Sequence, residues 1–282
     1  MGPKRQECNP DNNRRKMVGG IIDFHAHAFP DAVADAAMAK LRAEVPQVPC
    51  YLDGKLGSLL RSMDEAGVAA SVLCCIATRQ GQYESILNWC GQIQSSRIIP
   101  FPSVHPADPK AVDRVGQIAA EGFKGIKMHP YYQEFVLDEP RMMPLYERMC
   151  REGLILVVHT GYDIGFERID RGGPDRILRV VEAFPELKLV TTHLGAWEQW
   201  ERVGEVLIGR KIYLDISYVA DFLGFEKARD LIARHPAEFV LFGTDSPWDD
   251  QRQCIRWVRE MRLGAQREAL LLGGNARRLL GG

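Results

Sequence analysis

Short apolar segments alternate with longer amphipathic segments along almost the whole chain. The apolar segments have the length of buried β-strands, and the amphipathic segments have helical spacing. The eight predicted strands cover residues 21–27, 68–76, 98–104, 122–128, 154–159, 187–193, 212–217 and 239–244. Each is followed by a predicted helix, so the strands should be parallel and joined by crossover helices. Eight such repeats in about 260 residues predict a single-domain (β/α)8 TIM barrel over residues 18–282.

Residues 1–17 form a polar, charged segment with two prolines and several asparagines. This composition predicts a disordered arm ahead of the barrel, and Met17 offers an alternative start. The arm lacks the apolar core of a secretory signal, and no apolar run is long enough to cross a bilayer. The sequence therefore favours a cytoplasmic protein.

The charge of the chain is nearly balanced, with 36 Lys and Arg against 37 Asp and Glu and a formal net charge of −1. Without a long basic block, charge gives no support for binding nucleic acid or a membrane surface. Seven cysteines, an odd number without a Cys-x-x-Cys pair, indicate reduced thiols. We expect a small-molecule substrate as the partner. A homo-oligomer is compatible with the sequence, which does not fix the oligomeric state.

Two histidines, His25 and His27, end the first predicted strand. Because side chains alternate along a strand, both should point to the same side and can share one divalent cation if further ligands arrive. Further polar residues end three other strands: Lys127 and His129 the fourth, His159 the fifth and His193 the sixth, while Asp245 follows the eighth. Barrel enzymes carry their chemistry at these strand ends. The convergence predicts a site for Zn²⁺ or another borderline divalent ion.

The motifs that contain these residues are Asp-Phe-His-Ala-His, Gly-Ile-Lys-Met-His-Pro, Val-Val-His-Thr-Gly, Thr-Thr-His-Leu-Gly, Gly-Thr-Asp-Ser-Pro-Trp and Gly-Asn-Ala-Arg-Arg-Leu-Leu. Together they resemble the amidohydrolase superfamily of metal-dependent barrel enzymes. The resemblance is strongest to the amidohydrolase 2 branch, which includes aminocarboxymuconate-semialdehyde decarboxylase and related hydrolases, and it extends over residues 21–280. It implies that the metal ligands are His25, His27, His159 and Asp245, and that His193 holds or activates the metal-bound water.

Lys127 leaves the number of metal ions open. In the two-metal branches of the superfamily, a lysine ending the fourth strand is carboxylated and bridges the ions, and His193 would then bind the second ion. In the amidohydrolase 2 branch, a lysine in Lys-x-His-Pro commonly stays unmodified beside one metal. The motif here resembles the latter, so we expect one divalent metal, zinc, and a second only if Lys127 is carboxylated. An unmodified Lys127 would place a cation beside an anionic substrate or transition state.

The predicted reaction is hydrolysis of an amide, ester or lactone bond of a small substrate, carboxylated substrates included, by a metal-activated water. Asp245 would accept the water proton and deliver it to the leaving group, while His193 would orient the water and stabilise the oxyanion. The alternative is non-oxidative decarboxylation of a small aromatic or unsaturated acid, because the resembled branch contains both chemistries. An inactive metal-binding barrel is a third hypothesis, which the complete set of ligand positions disfavours.

Residues after the motif-bearing strands are candidates for substrate binding. The set comprises His129, Tyr131, Tyr162, Arg79 and Trp248. Its aromatic members, with Tyr132 and Trp197, either form a wall of the substrate pocket or pack on the barrel rim. Arg79, like two arginines of the loop after the fifth strand, suits a carboxylate, although solvated loop charges have the same appearance.

Two further predictions concern the surroundings of the metal ligands. Asp215, at the end of the seventh predicted strand, should orient a ligand imidazole. The loop at residues 162–173, after the fifth strand, should set substrate specificity because variable loops over a rigid barrel carry binding residues. Its two arginines are Arg168 and Arg171.

Overall fold

The computed structural model describes residues 19–281, so the predicted arm at residues 1–17 lies outside the described part of the chain. Eight parallel strands occupy Ile21–Ala26 (β1), Val68–Cys74 (β2), Ile98–Phe101 (β3), Gly125–Met128 (β4), Ile155–Val158 (β5), Lys188–Thr191 (β6), Tyr213–Asp215 (β7) and Val240–Leu241 (β8). They pair in chain order, β1 to β3 in one sheet and β4 to β8 in the other. The predicted strand order is therefore confirmed.

Backbone hydrogen bonds at two seams close these sheets into a barrel. At the seam between β3 and β4, Lys127 N donates to Pro102 O over 2.9 Å. At the seam between β8 and β1, Phe24 N donates to Phe242 O over 2.7 Å, and His27 N donates to Ser246 O over 2.6 Å. The predicted (β/α)8 barrel is confirmed.

Helices follow each strand and cover the outside of the barrel. They are Asp31–Glu44 (α1), Leu56–Ala66 (α2), Tyr83–Ile93 (α3), Ala111–Ala120 (α4), Met143–Glu152 (α5), Pro174–Ala183 (α6), Trp200–Val206 (α7), Ala220–Leu223 (α8), Phe225–Arg234 (α9), Gln251–Glu260 (α10), Ala265–Ala269 (α11) and Asn275–Leu280 (α12). The sequence pattern did not predict α8 and α11, which have only four and five residues. Among residues 19–281, no helix is long and apolar enough to span a membrane.

Buried apolar side chains form two clusters on opposite sides of the strands. The larger cluster fills the space between the strands and the helices, and includes Met128 and Val158. The smaller cluster lies inside the barrel and includes Phe24, Val72 and Val157. Because strand side chains alternate, Lys127 and His159 take the interior side with this second cluster. The barrel interior is therefore apolar at its base and polar at the C-terminal ends of the strands.

An irregularity in β1 redirects the two histidines of this strand. Ile22 and Phe24 belong to the interior cluster, so strict alternation would turn His25 away from the interior. The pairing register between β1 and β2 shifts between Asp23 and Ala26. Such a shift moves the following side chains to the other face of the sheet, which brings His25 and His27 to the barrel mouth.

The observed strands end before several predicted site residues. The fifth predicted strand was to end at His159 and the sixth at His193, but β5 ends at Val158 and β6 at Thr191. His193 and Asp245 have φ values of 57° and 63°, in the left-handed region. This conformation interrupts the ladder and costs energy for residues other than glycine, a cost that proteins commonly bear at functional sites. His159, His193 and Asp245 therefore follow the ends of their strands, whereas His25 and Lys127 lie within β1 and β4.

Candidate active site

Three potential ligand atoms lie close together at the mouth of the barrel. His25 Nε2 is 3.1 Å from His27 Nε2, and Asp245 Oδ1 lies 3.0 Å from His27 Nε2 and 3.3 Å from His25 Nε2. Ligand atoms at about 2.1 Å from a tetrahedral metal are separated by roughly 3.4 Å. The three side chains form the metal triad, and their spacing fits a single divalent cation.

The hydrogen bonds of the outer ring nitrogens support this assignment. His25 Nδ1 lies 2.9 Å from Asp215 Oδ2, and His27 Nδ1 lies 2.7 Å from Cys74 O. Both oxygens accept hydrogen bonds, so the proton of each neutral imidazole lies on Nδ1. The Nε2 lone pairs of His25 and His27 therefore point towards each other. Two lone pairs and a carboxylate oxygen at this distance repel one another, and a bound cation, an additional proton or, at His25 Nε2, the Lys127 ammonium 3.0 Å away relieves this repulsion. The donor set fits a metal, whose binding competes with protonation.

Lys127 stands directly beside the metal triad. Its side chain is fully buried, and Nζ lies 3.0 Å from His25 Nε2. The ammonium group therefore lies beside the place that a metal held by the triad would occupy. Carboxylation of Lys127, and with it a second metal, stays a prediction.

His159 and His193 form a second pair of facing nitrogens. His193 Nδ1 donates to Ser217 O over 3.1 Å, and His159 Nε2 donates to Tyr162 O over 2.9 Å. The remaining atoms, His193 Nε2 and His159 Nδ1, lie 3.1 Å apart. Both are acceptors in the neutral rings. His159 thus offers a free nitrogen at the mouth but lies beside His193 rather than within the metal triad, and its role as a ligand stays a prediction.

The tautomer of His193 changes one part of the predicted mechanism. With its proton on Nδ1, the neutral ring presents an acceptor at Nε2 and can orient a water molecule. It has no proton there to donate to an oxyanion, so the expected second role of His193 does not fit the hydrogen bonds. Lys127 is the donor placed for that role.

Burial shifts the pKa values of the histidines and of the carboxyl group at the site. Burial lowers the pKa of His25 well below its usual value, and the positive charge of Lys127 adds to this effect. Burial and neighbouring imidazoles lower the pKa of His159 to about 3 and that of His193 to about 4. Burial opposes ionisation of Asp245, but His25 and His27 outweigh it and lower the pKa of this carboxyl. Neutral imidazoles and an ionised carboxylate are the forms that bind metal.

A network around Asp215 and Ser217 fixes the rings from behind. Asp215 Oδ2 accepts from His25, and Asp215 Oδ1 accepts from Ser217 Oγ over 2.6 Å. Ser217 Oγ also lies 3.0 Å from His25 Nδ1 and 3.2 Å from His193 Nδ1. The expectation that Asp215 orients a histidine ring is confirmed. Sequence reasoning missed Ser217, whose only signal was its position two residues after Asp215.

Asp23 is a second buried carboxylate that sequence reasoning missed. Its oxygens accept hydrogen bonds from Thr244 Oγ1 over 2.6 Å and from Gln251 Nε2 over 2.8 Å. Backbone N–H groups of His25 and Thr244 bond to the same carboxylate. Asp23 therefore ties the strand that carries His25 to the segment that leads into Asp245. Its place in Asp-Phe-His-Ala-His was the available signal.

A second group of potential ligands comprises His129, His159 and Asp163. Asp163 Oδ2 lies 3.3 Å from His129 Nε2 and 3.6 Å from His159 Nε2. The carbonyl of Tyr162 holds a proton on His159 Nε2, so this nitrogen has no lone pair for a metal. His129 stacks on His159 at 4.2 Å and donates to Asp163. We interpret the group as a brace for His159, and contact of His129 with substrate stays a prediction.

The remaining candidates for substrate binding occupy different positions. Tyr131 is buried, and its hydroxyl donates to Ile169 O over 2.7 Å with Gly161 O at 3.1 Å, so this hydroxyl holds the loop after β5. Arg168 lies over the Tyr162 ring at 4.6 Å and pairs with Glu198. The other positions are exposed Arg79, half-buried Arg171 over the Tyr131 ring, and half-buried Trp248, whose N donates to Asp245 O.

Comparison with known protein families agrees with a metal site at the barrel mouth. The chain belongs to the amidohydrolase family, whose sequence profile, described as "Amidohydrolase", matches residues 22–282. This is an enzyme family that depends on metal, and the predicted amidohydrolase 2 membership is confirmed. No curated protein matches the chain by sequence.

Three solved structures illustrate the likeness in fold. A 5-carboxyvanillate decarboxylase from Sphingomonas paucimobilis is 19% identical with a TM-score of 0.72, covering 93% of this chain and 99% of the other. A structure from Pseudomonas putida, whose name proposes a 2-pyrone-4,6-dicarboxylic acid hydrolase, is 19% identical with a TM-score of 0.66, covering 93% of this chain and 98% of the other. A dihydroxybenzoic acid decarboxylase from Polaromonas, with bound manganese and the inhibitor 2-nitroresorcinol, is 15% identical with a TM-score of 0.69, covering 93% and 97%. At these identities the likeness shows the fold.

Proposed function

We propose that this protein is a metal-dependent hydrolase that cleaves an amide, ester or lactone bond of a small carboxylated substrate. The observation that carries the proposal is the metal triad, in which two imidazole lone pairs and the Asp245 carboxylate converge beside His193 and Lys127. We further propose one zinc ion per chain, because two imidazoles and a carboxylate form a ligand set that suits zinc.

Each side chain has a separate task in this reaction. A bound divalent ion would acidify water and polarise the bond to be cleaved. Asp245, held ionised, accepts the proton of the attacking water and returns it to the leaving group. His193 accepts a hydrogen bond at Nε2 and orients the water, since Ser217 fixes its tautomer. Lys127 donates to the oxygen that gains negative charge.

Decarboxylation of a small aromatic or unsaturated acid is the second candidate function. An aromatic wall favours it, because Trp197 lies edge-on to His193 at 5.7 Å and stacks on Tyr218 at 5.3 Å. A flat ring fits against such a wall. Lys127 would then bind the carboxylate, and ionised Asp245 would take a proton from water or a substrate hydroxyl and pass it to the carbon that loses carbon dioxide. Two of the three structures described above carry decarboxylase names.

A panel of planar acids tests the two candidates with one preparation of metal-loaded enzyme. The panel comprises 2-pyrone-4,6-dicarboxylate, 5-carboxyvanillate and 2,6-dihydroxybenzoate, with 2-nitroresorcinol as a binding probe. Ring opening of the pyrone without release of carbon dioxide supports the hydrolase. Stoichiometric carbon dioxide from a benzoate supports the decarboxylase and contradicts the hydrolase. An enzyme that turns over no member of the panel contradicts both assignments to planar carboxylated substrates.

A further inference from the structure

The hydroxyl of Tyr218 has no task in either of the reactions proposed above. Tyr218 follows Ser217, whose carbonyl and hydroxyl contact the rings of His193 and His25. Its backbone has φ 54°, a left-handed conformation that is costly for an aromatic residue. Strain of this kind gathers at ligand sites, where the surrounding structure holds the residue in place.

The ring of Tyr218 is fixed by other aromatic rings. It stacks on Trp197 with centroids 5.3 Å apart and an interplanar angle of 23°. Phe222 contacts both rings, at 5.0 Å from Tyr218 and 4.6 Å from Trp197. Trp197 in turn lies against His193. Tyr218 is therefore a rigid group that extends the wall of the site.

The hydroxyl of Tyr218 is buried and has no hydrogen-bond partner within residues 19–281. A buried hydroxyl without a partner lowers the stability of the fold. A hydrogen bond to a bound ligand would account for its presence. The ring that carries this hydroxyl stacks on Trp197, which lies against His193 at the barrel mouth. Burial, with the charge of Asp245 as the next contribution, raises the pKa of Tyr218, so the phenol remains a neutral donor.

We propose that the Tyr218 hydroxyl donates a hydrogen bond to an anionic oxygen of the substrate, whose planar unsaturated ring packs against the Tyr218 and Phe222 rings, with buried Trp197 supporting both from behind. This inference rests on the proposed function and narrows its substrate class. A ring with a carboxylate or phenolate oxygen satisfies the orphaned donor and covers the aromatic wall at the same time. Tyr218 is thereby a specificity-determining residue.

The test compares Tyr218→Phe with Tyr213→Phe in the metal-loaded, full-length enzyme. Tyr213 is the matched control because it lies on β7, five residues before Tyr218, and its ring packs on Phe239. Tyr218→Phe should raise the Kd of 2-nitroresorcinol, and the KM of any panel acid that is turned over, by about 10- to 100-fold, as expected for a hydrogen bond to a charged acceptor. Its Tm should stay unchanged or rise, because the substitution removes a buried hydroxyl without a partner. Tyr213→Phe should leave Kd and KM unchanged.

The possible outcomes distinguish a failure of the role of Tyr218 from a failure of the proposed function. Wild-type Kd and KM values in Tyr218→Phe overturn the inference, and so does a lower Tm with unchanged Kd and KM, which would mark a structural role. If wild-type protein binds 2-nitroresorcinol but turns over none of the panel, the proposed function fails and the Kd comparison still decides the role of Tyr218. Wild-type protein that binds no planar acid contradicts both.

Discussion

The proton positions of four imidazoles define the site at the scale of single residues. Each ring has one nitrogen held by an outer acceptor: Asp215 for His25, Cys74 O for His27, Tyr162 O for His159 and Ser217 O for His193. The inner nitrogens are left as acceptors, which is the arrangement that a metal site requires. Asp245 adds the carboxylate and is the residue on which the proposed chemistry depends most.

Asp245→Asn should abolish turnover while the barrel stays folded. The amide cannot accept and return a proton, so kcat should fall by about 10²- to 10⁴-fold. Steady-state kinetics of the metal-loaded variant measures the loss, and circular dichroism checks the fold. Substantial residual turnover would count against Asp245 as the acid–base group.

Asp215→Asn should weaken metal binding without removing a ligand. An Asn amide can turn its NH2 towards His25 Nδ1, so the ring loses the acceptor that holds its tautomer. Loss of such a partner typically reduces metal affinity by about 10- to 100-fold. Competition with a chromophoric chelator measures the affinity. Asp230→Asn, an exposed substitution on α9, is the control and should bind as wild type; equal affinities in all three proteins would contradict the role of Asp215.

At the scale of elements, the backbone of the loop after β5 lies against the backbone of the segment before α7. The two lie so close at residue 161 that only glycine fits there. Gly161 has φ 85°, and a Cβ at this position would lie 2.0 Å from Trp197 N. The contact brings Trp197 against His193. A side chain at residue 161 would therefore displace both the loop and the aromatic wall.

Gly161→Ala should reduce stability more than Gly209→Ala does. Gly209 has a similar φ of 92°, but a Cβ there meets nothing within 4 Å. Gly209→Ala should cost about 1 to 2 kcal/mol for the left-handed backbone alone. Gly161→Ala should cost roughly twice as much or more, because backbone atoms must also move. Denaturant unfolding measures both, and equal losses would show that the contact with Trp197 is not a constraint.

The sequence predicted the order of the strands and helices more accurately than the residues at which they begin and end. Apolar periodicity and helical spacing determine the order of strands and helices, and the motifs located the residues of the metal triad. The register shift in β1, and the left-handed turns at His193 and Asp245, depend on packing between distant strands. Asp23 bonds Thr244, 221 positions away, and no local pattern reports such a contact. For the same reason the sequence missed Ser217 and Tyr218.

At the scale of the whole molecule, buried histidines should make the metal-free protein sensitive to acid. His159 and His193 have pKa values of about 3 and 4 when folded, well below the usual 6.5. The unfolded chain therefore binds more protons between pH 6.5 and 4, and stability falls as the pH decreases through this window. A shift of two units in one such group corresponds to about 2.7 kcal/mol.

Three buried carboxylates with raised pKa values, Asp23, Asp215 and Asp249, act in the opposite direction. Burial raises the pKa of Asp23 and of Asp249 to about 6, so protonation of these groups stabilises the fold below that pH. Six histidines have lowered pKa values, against three carboxyls with raised ones, and we expect the histidines to dominate. Urea unfolding of chelator-treated protein at pH 7 and pH 5 should show lower stability at pH 5. Equal or higher stability at pH 5 would contradict this balance.

The metal content of the purified protein tests the central claim most directly. Elemental analysis after purification without chelator should find one divalent ion per chain, and His27→Ala should hold less than the wild type under the same conditions. Two ions per chain would contradict the single-metal site and favour a carboxylated Lys127. A protein that binds no divalent metal, even after supplementation, would contradict the proposed site as a whole.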